Sequence, residues 1–154
     1  MSTPLRLLMV EDSESDARLL LRHLERGGFA PEWERVETAD AMQTALARQP
    51  WDLILADYSM PRFDAPAALR TLQASGQDIP FIVVSGAIGE DIAVEMMTQG
   101  AQDYVLKQNL TRLLPAVQRE LNEAQQRGQQ KRSRHWHDQS NPPSRSGKPL
   151  PGPG

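Results

Sequence analysis

The chain has 154 residues, of which 39% are hydrophobic and none is cysteine, and its formal net charge is −3. This length allows one domain with a sizeable core and excludes two ordinary domains. The lack of cysteine excludes a disulfide framework and a thiolate metal site. No apolar stretch approaches the roughly 20 residues of a membrane span, and the N-terminus lacks the long apolar region of a signal peptide. We therefore expect a cytoplasmic protein without membrane insertion.

The charge is distributed unevenly. Residues 128–154 contain five basic residues and one acidic residue, so this segment carries +4 and residues 1–127 carry −7. An acidic body argues against nucleic-acid binding. The segment 128–154 is basic and rich in proline, and it has too little apolar surface to order itself. We predict a domain over residues 1–127 and a disordered tail over 128–154. Trp136 in this tail is interpreted as an exposed aromatic, with a short docking element as the alternative.

Short apolar runs alternate with helical patterns along residues 1–127. A strand, a helix, a weaker edge strand and a second helix are predicted at 5–10, 13–26, 32–37 and 40–48. Three further strand–helix pairs follow, with strands at 53–56, 79–84 and 103–106 and helices at 66–75, 90–99 and within 110–127. Five strands joined by helical crossovers imply a parallel sheet with helices on both faces.

Polar residues stand where the longer strands end. Glu11 and Asp12 follow the first strand, and Asp57 follows the third. Parallel strands place these ends at one edge of the sheet, where open α/β sheets bind ligands. Three converging carboxylates repel one another unless a cation neutralises them. An all-oxygen ligand set suits Mg²⁺ or Mn²⁺.

A carboxylate at such a site can act as a nucleophile toward phosphorus and form an acyl phosphate. Phosphoryl transfer requires in-line positioning and cations that neutralise the equatorial oxygens. Lys107 follows the fifth strand and Ser85 ends the fourth, so an ammonium and a hydroxyl are expected beside Asp57. The alternatives are ordinary ones: Asp57 as a solvated loop residue, Glu11 and Asp12 as helix-entry acids, and Lys107 as a surface lysine.

Four short motifs at successive strand ends give the chain a resemblance to a known family. They are Val10-Glu11-Asp12, Asp57-Tyr58-Ser59-Met60-Pro61, Val83-Val84-Ser85-Gly86 and Asp103-Tyr104-Val105-Leu106-Lys107. With these motifs, residues 5–125 resemble the receiver domain of two-component response regulators. No effector motif follows, which is typical of the stand-alone, single-domain type.

The resemblance implies a fold and a role for each matched residue. The fold is a flavodoxin-like, doubly wound five-stranded parallel sheet of order 2-1-3-4-5 with five helices. Asp57 is implied as the phosphoacceptor and Lys107 as the lysine beside it. Ser85 is the implied switch residue, which moves toward the phosphoryl group, and Tyr104 is the implied switch aromatic, which turns into the vacated space. The implied metal ligands are Asp12, Asp57, Glu11 through water, and the backbone carbonyl of Ser59.

The resemblance also implies partners. The phosphodonor is a phosphohistidine on a sensor histidine kinase or a histidine phosphotransfer protein. Phosphorylation then changes a protein-binding face, formed by the fourth helix, the fifth strand and the last helix at about 89–126, which contacts a downstream partner in trans or a second copy of the chain. We expect no enzymatic activity beyond self-phosphorylation and autodephosphorylation.

One departure from the family pattern lies in the loop after the fifth strand. Gln108 stands where the family usually has proline, so this loop is less constrained and the surface that it presents differs.

Two other functions remain as alternatives. One is an Mg²⁺-dependent phosphatase or hydrolase that uses Asp57 as its nucleophile. The other is a binding module that works without phosphorylation.

Overall fold

The computed structural model describes residues 2–58, 60–86 and 89–140, and their side chains except those of Glu90 and residues 128–140. The chain divides into two compact units, residues 1–121 and 122–154. The first unit contains the sheet and the helices packed on it. In the second unit, the structure describes helical backbone as far as Ser140.

Five strands and five α-helices alternate along the described part of the chain, as the sequence predicts. The strands are β1 (Thr3–Val10), β2 (Phe29–Val36), β3 (Leu53–Asp57), β4 (Phe81–Ser85) and β5 (Asp103–Leu106). The helices are α1 (Glu14–Arg26), α2 (Ala39–Arg48), α3 (Ala65–Ser75), α4 (Glu90–Gln99) and α5 (Leu113–Ser140), with a short 3₁₀ helix at Leu110–Arg112 before α5.

All strand pairs of the sheet are parallel, and the order is β2-β1-β3-β4-β5. The predicted order 2-1-3-4-5 and the edge position of β2 are confirmed. β1 pairs with β2 over eight positions and with β3 over four, whereas the β3–β4 and β4–β5 pairs each extend over four positions. The order reverses between β1 and β3, which brings their carboxyl ends side by side.

Each face of the sheet carries a separate apolar layer, because successive strand residues point to opposite faces. Leu8 and Val10 of β1 lie in one layer, and Leu7 and Met9 lie in the other. The first layer is completed by apolar residues of α2, α3 and α4, including Met42, Leu46, Leu69, Leu72 and Met96. The second is completed by residues of α1 and α5, including Leu20, Leu24, Leu113 and Val117.

The element boundaries differ most from the prediction at β2 and α5. β2 begins at Phe29 and includes Pro31, whereas the predicted strand begins after this proline. An edge strand tolerates proline because one side of it makes no ladder hydrogen bonds. α5 continues to Ser140, whereas the predicted helix lies within 110–127; the disorder expected for 128–154 stays a prediction. Glutamine, arginine and lysine form helices well, and an existing helix extends without a new nucleation step. Residues 141–154 lie outside the described residues.

Among the residues that the structure describes, no helix is both long and apolar enough to cross a membrane.

Candidate phosphoryl-transfer site

Three carboxylates meet at the carboxyl edge of the sheet. Asp57 is the last residue of β3 and is buried, Glu11 directly follows β1 and is buried, and Asp12 beside it is exposed. Each offers one carboxylate oxygen, and these three oxygens lie within 4.8 Å of one another. The sequence predicts this convergence. The donor set contains only hard oxygen atoms, so it fits Mg²⁺ or Mn²⁺ and does not fit a soft metal ion.

Lys107 provides the positive charge of the site. Its Nζ donates hydrogen bonds to Glu11 Oε1 at 2.8 Å, to Asp16 Oδ2 at 2.7 Å and to Asp57 Oδ2 at 3.1 Å. The backbone fixes the start of this side chain, because the Lys107 N–H donates to the Ser85 carbonyl at 2.8 Å. The side chain is 14% exposed. Lys107 is therefore a mostly buried cation that joins the ends of β1, β3 and the first turn of α1.

The environment of Lys107 keeps the ammonium charged. Burial is the largest single influence on the pKa of Lys107 and lowers it. Hydrogen bonds to Asp16 and Glu11, together with the charges of Glu11 and Asp57, outweigh burial and hold the pKa above its ordinary value. Lys107 is thus protonated at neutral pH and available as a cation.

Glu11 is held by contacts to both of its carboxylate oxygens. Oε1 accepts from Lys107, and Oε2 accepts from the Ser13 N–H at 3.1 Å. Burial, with a smaller contribution from the nearby charge of Asp57, raises the pKa of Glu11 to about 7 against the opposing effects of Lys107 and the Ser13 N–H. A divalent cation held beside Glu11 would favour its ionised carboxylate.

Ser85 and Tyr104 occupy neighbouring strands on the β5 side of Asp57. Ser85 ends β4 and is fully buried, one residue beyond the position that pairs with Asp57. Tyr104 is half-buried and packs against the apolar layer of α2, α3 and α4. The guanidinium of Arg112 lies 5.5 Å from the centre of the Tyr104 ring and donates to the Tyr104 carbonyl at 2.8 Å.

The structure adds one residue to those that the sequence predicts for the site. Asp16 lies in the first turn of α1, where an acidic residue suits the helix dipole, and it also makes the shortest contact to Lys107 Nζ. The sequence does indicate that Asp16 is near the site, because the helix that carries it begins at the same edge of the sheet as Glu11, Asp12 and Asp57. The predicted backbone ligand, Ser59, lies outside the described residues.

A cavity of about 580 Å³ opens beside the acidic cluster. It is lined by Asp12, by Glu37 and Thr38 before α2, and by residues 60–62 of the loop after β3. Asp12 thus faces both the carboxylate cluster and open space.

The family model for the response regulator receiver domain matches residues 7–118. The chain is 32% identical over 102 residues to the response regulator protein FleR of Pseudomonas aeruginosa, covering 66% of this chain and 21% of FleR. It is 32% identical over 127 residues to a protein-glutamate methylesterase/protein-glutamine glutaminase of Rhodospirillum centenum, covering 79% of this chain and 32% of that protein. The chain therefore spans about a fifth to a third of the length of these two relatives.

The fold has close counterparts among solved structures. The signal receiver domain of a Vibrio parahaemolyticus protein matches with a TM-score of 0.71 and 25% identity, covering 81% of this chain and 95% of that domain. The signal receiver domain of a signal transduction histidine kinase from Syntrophus aciditrophicus matches with a TM-score of 0.63 and 30% identity, covering 77% of this chain and 91% of that domain.

Proposed function

Because the chain belongs to the family of response regulator receiver domains, we propose that Asp57 accepts a phosphoryl group in an Mg²⁺-dependent reaction of two-component signalling. The observation that carries this proposal is the position of Asp57, 3.1 Å from a charged lysine and within 4.8 Å of two further carboxylates. A nucleophilic carboxylate, a fixed ammonium and an all-oxygen ligand set are the groups that phosphoryl transfer to an aspartate requires.

The transfer forms one bond and breaks another. A carboxylate oxygen of Asp57 forms the new O–P bond while the N–P bond of a phosphohistidine breaks, and the electron pair of the broken bond stays on the imidazole nitrogen. Lys107 neutralises one equatorial oxygen of the phosphoryl group. Glu11, Asp12, Asp57 and the backbone carbonyl of Ser59 are the proposed metal ligands. An Mg²⁺ or Mn²⁺ held by these residues would supply further charge neutralisation for the phosphoryl group.

Phosphorylation then acts as a switch. It adds negative charge and strong acceptor oxygens at the buried end of β3. We assign Ser85 as the residue that moves toward the phosphoryl group and Tyr104 as the aromatic side chain that follows it. Tyr104 now lies half-buried with Arg112 over its ring, so an inward turn of this ring changes the surface of α4, β5 and α5.

The proposed partners follow from the chemistry of the donor and from this surface. The donor is a phosphohistidine on a sensor histidine kinase or a histidine phosphotransfer protein, in the cytoplasm. The acceptor of the signal is a protein that binds the face of α4, β5 and α5, including a second copy of this chain.

The test is the mass of the intact protein after incubation with Mg²⁺ and acetyl phosphate. We expect one added phosphoryl group on the wild type, none after chelation of Mg²⁺ by EDTA, and none on Asp57→Asn. Asp52→Asn is the matched control, because Asp52 stands just before the opposite end of the same strand and binds Arg6. This control should be phosphorylated like the wild type.

Three results would contradict the proposal. Modification of Asp57→Asn would place the acceptor elsewhere. Continuous release of phosphate from small phosphorylated substrates without an adduct would favour a hydrolase. An absent adduct together with no binding of beryllofluoride, which mimics the phosphoryl group, would favour a module that works without phosphorylation.

A further inference from the structure

Asp16 is the most solvent-exposed of the three carboxylates that bind Lys107. Its side chain is 41% exposed, compared with 3% for Glu11 and 8% for Asp57. It is nevertheless the nearest to the ammonium, at 2.7 Å compared with 3.1 Å for Asp57. Its backbone is fixed at the start of α1, where the Asp16 N–H donates to the Ser13 hydroxyl at 3.2 Å.

The ammonium group of Lys107 has three N–H donors, and the three carboxylates use all of them. Glu11 and Asp16 hold two donors on the α1 side of the site, so one donor remains for Asp57. After transfer to Asp57, that single donor can serve one phosphoryl oxygen. A second bond from Lys107 to the phosphoryl group requires the release of Glu11 or Asp16.

Of these two carboxylates, Asp16 is the one that can leave. Glu11 is buried, and its other oxygen is held by the Ser13 N–H. Asp16 reaches solvent, so water can replace the ammonium as its partner at little cost. Asp16 also places a negative charge next to the point where an anionic phosphoryl group arrives, and like charges repel there.

From these contacts we infer that Asp16 is a positioning residue, which competes with phosphoryl oxygens for Lys107 and thereby weakens the phosphorylated form. This inference rests on the proposed role of Asp57. It gives α1 a part in setting the balance between the phosphorylated and unphosphorylated states. Both effects of Asp16, competition for the donor and charge repulsion, act in the same direction.

The test compares beryllofluoride affinity among variants of the full chain at saturating Mg²⁺, by isothermal titration calorimetry. Asp16→Asn keeps the shape and loses the charge, and Asp16→Ala also loses the acceptor. We expect beryllofluoride to bind on the order of threefold to tenfold more tightly to Asp16→Asn, and at least as tightly to Asp16→Ala. Mg²⁺ affinity is measured separately, so that a change in metal binding is not counted as a change in anion binding.

Glu14→Gln is the matched control. Glu14 lies in the same turn of α1 and its removal changes the net charge equally, but its carboxylate binds Arg18 at 2.8 Å. We expect this variant to bind beryllofluoride like the wild type. An equal gain in Glu14→Gln would show a general effect of charge and would overturn the assignment to the Lys107 contact.

The outcomes separate the two proposals. No binding of beryllofluoride to the wild type would contradict the proposed function itself. Binding to the wild type with equal or weaker binding to both Asp16 variants would contradict only the role of Asp16. A purely structural role predicts weaker binding together with a lower melting temperature, so tighter binding cannot arise from loss of structure.

Discussion

Lys107 connects parts of the chain that are far apart in sequence. It binds Glu11 and Asp16 near the N-terminus and Asp57 in the middle of the domain. One ammonium thus binds three carboxylates, and the pKa of Glu11 is raised to about 7 because Lys107 does not offset the effect of burial. Under the proposed function, a divalent cation held by these carboxylates would complete the neutralisation.

Replacing Lys107 should therefore make the protein depend more strongly on Mg²⁺. In EDTA we expect Lys107→Met to be less stable than the wild type by about 3 kcal/mol, because two buried carboxylates lose their partner. Saturating Mg²⁺ should restore part of this loss. The rise in melting temperature on adding Mg²⁺ should then be larger for the variant than for the wild type, which differential scanning fluorimetry measures directly.

Arg6→Met serves as the control for this experiment. Arg6 binds Asp52 at 3.0 Å, and it precedes the buried carboxyl-terminal half of β1. Its Mg²⁺-dependent rise in melting temperature should equal that of the wild type. An equal rise in Lys107→Met as well would mean that Lys107 and the metal do not neutralise the same carboxylates.

The site residues that the sequence predicts are those that stand at the carboxyl ends of strands. Glu11, Asp57 and Lys107 each follow or end an apolar strand, and a parallel sheet brings such ends to one edge. The contact of Asp16 could not be predicted in the same way. It depends on the angle at which α1 leaves the sheet and on the length of the lysine side chain, and neither has a periodic signal in the sequence.

Among the elements, periodicity predicted each strand and α-helix of the described sheet domain, and the differences lie at element boundaries. Met42 is fully buried in α2, and Ala41 beside it is half-buried and packs against the same apolar layer. Both residues fit an apolar stripe on a short helix. The rotation of α2 about its axis is set by packing against its neighbours, which no local pattern contains.

The packing of α1 against α5 can be tested at Gly27, the residue that ends α1. A Cβ at this position would lie 2.7 Å from Leu114 Cδ1 and 3.0 Å from Leu114 Cγ, closer than packed atoms approach. We expect Gly27→Ala to lower the free energy of unfolding by roughly 1 to 3 kcal/mol. In a Leu114→Ala background the same substitution should lower the free energy of unfolding much less. Urea denaturation of the wild type, the two single variants and the double variant gives the coupling energy between Gly27 and Leu114.

Gly28→Ala separates steric overlap from backbone strain. Gly28 has a φ of +95°, and a Cβ there would meet nothing within 4 Å. Its substitution should destabilise the protein through backbone conformation alone, and Leu114→Ala should not relieve that cost. If Leu114→Ala relieved neither substitution, the close approach of Leu114 to the end of α1 would be refuted.

For the whole molecule, the buried apolar residues of the described chain extend from Leu5 to Val117. We therefore expect removal of residues 128–154 to change the melting temperature by no more than about 2 °C, the effect of about 0.5 kcal/mol in a domain of this size. Thermal unfolding followed by circular dichroism provides the measurement. A large drop would show that this segment contributes to the stability of the domain.

A longer truncation provides the positive control for the removal of residues 128–154. Truncation after Arg112 removes Leu113, Ala116 and Val117, all of which are buried in the layer of α1 and α5. We expect this protein not to fold, because it loses one side of an apolar layer. Cooperative unfolding of this fragment would show that the second layer does not need α5.

The strands differ in how many positions they pair, and this difference predicts which strand unfolds first. β1 is held on both sides, by eight paired positions with β2 and four with β3, whereas β5 is an edge strand with four paired positions. Backbone amides of β5 should therefore exchange with deuterium through partial unfolding, while those of β1 exchange only when the whole domain unfolds. Equal protection of Met9 and Val105 in native-state hydrogen exchange would contradict this order. If β5 does open first, Tyr104 and Lys107 lie in or next to the least protected strand, so a rearrangement there leaves β1 in place.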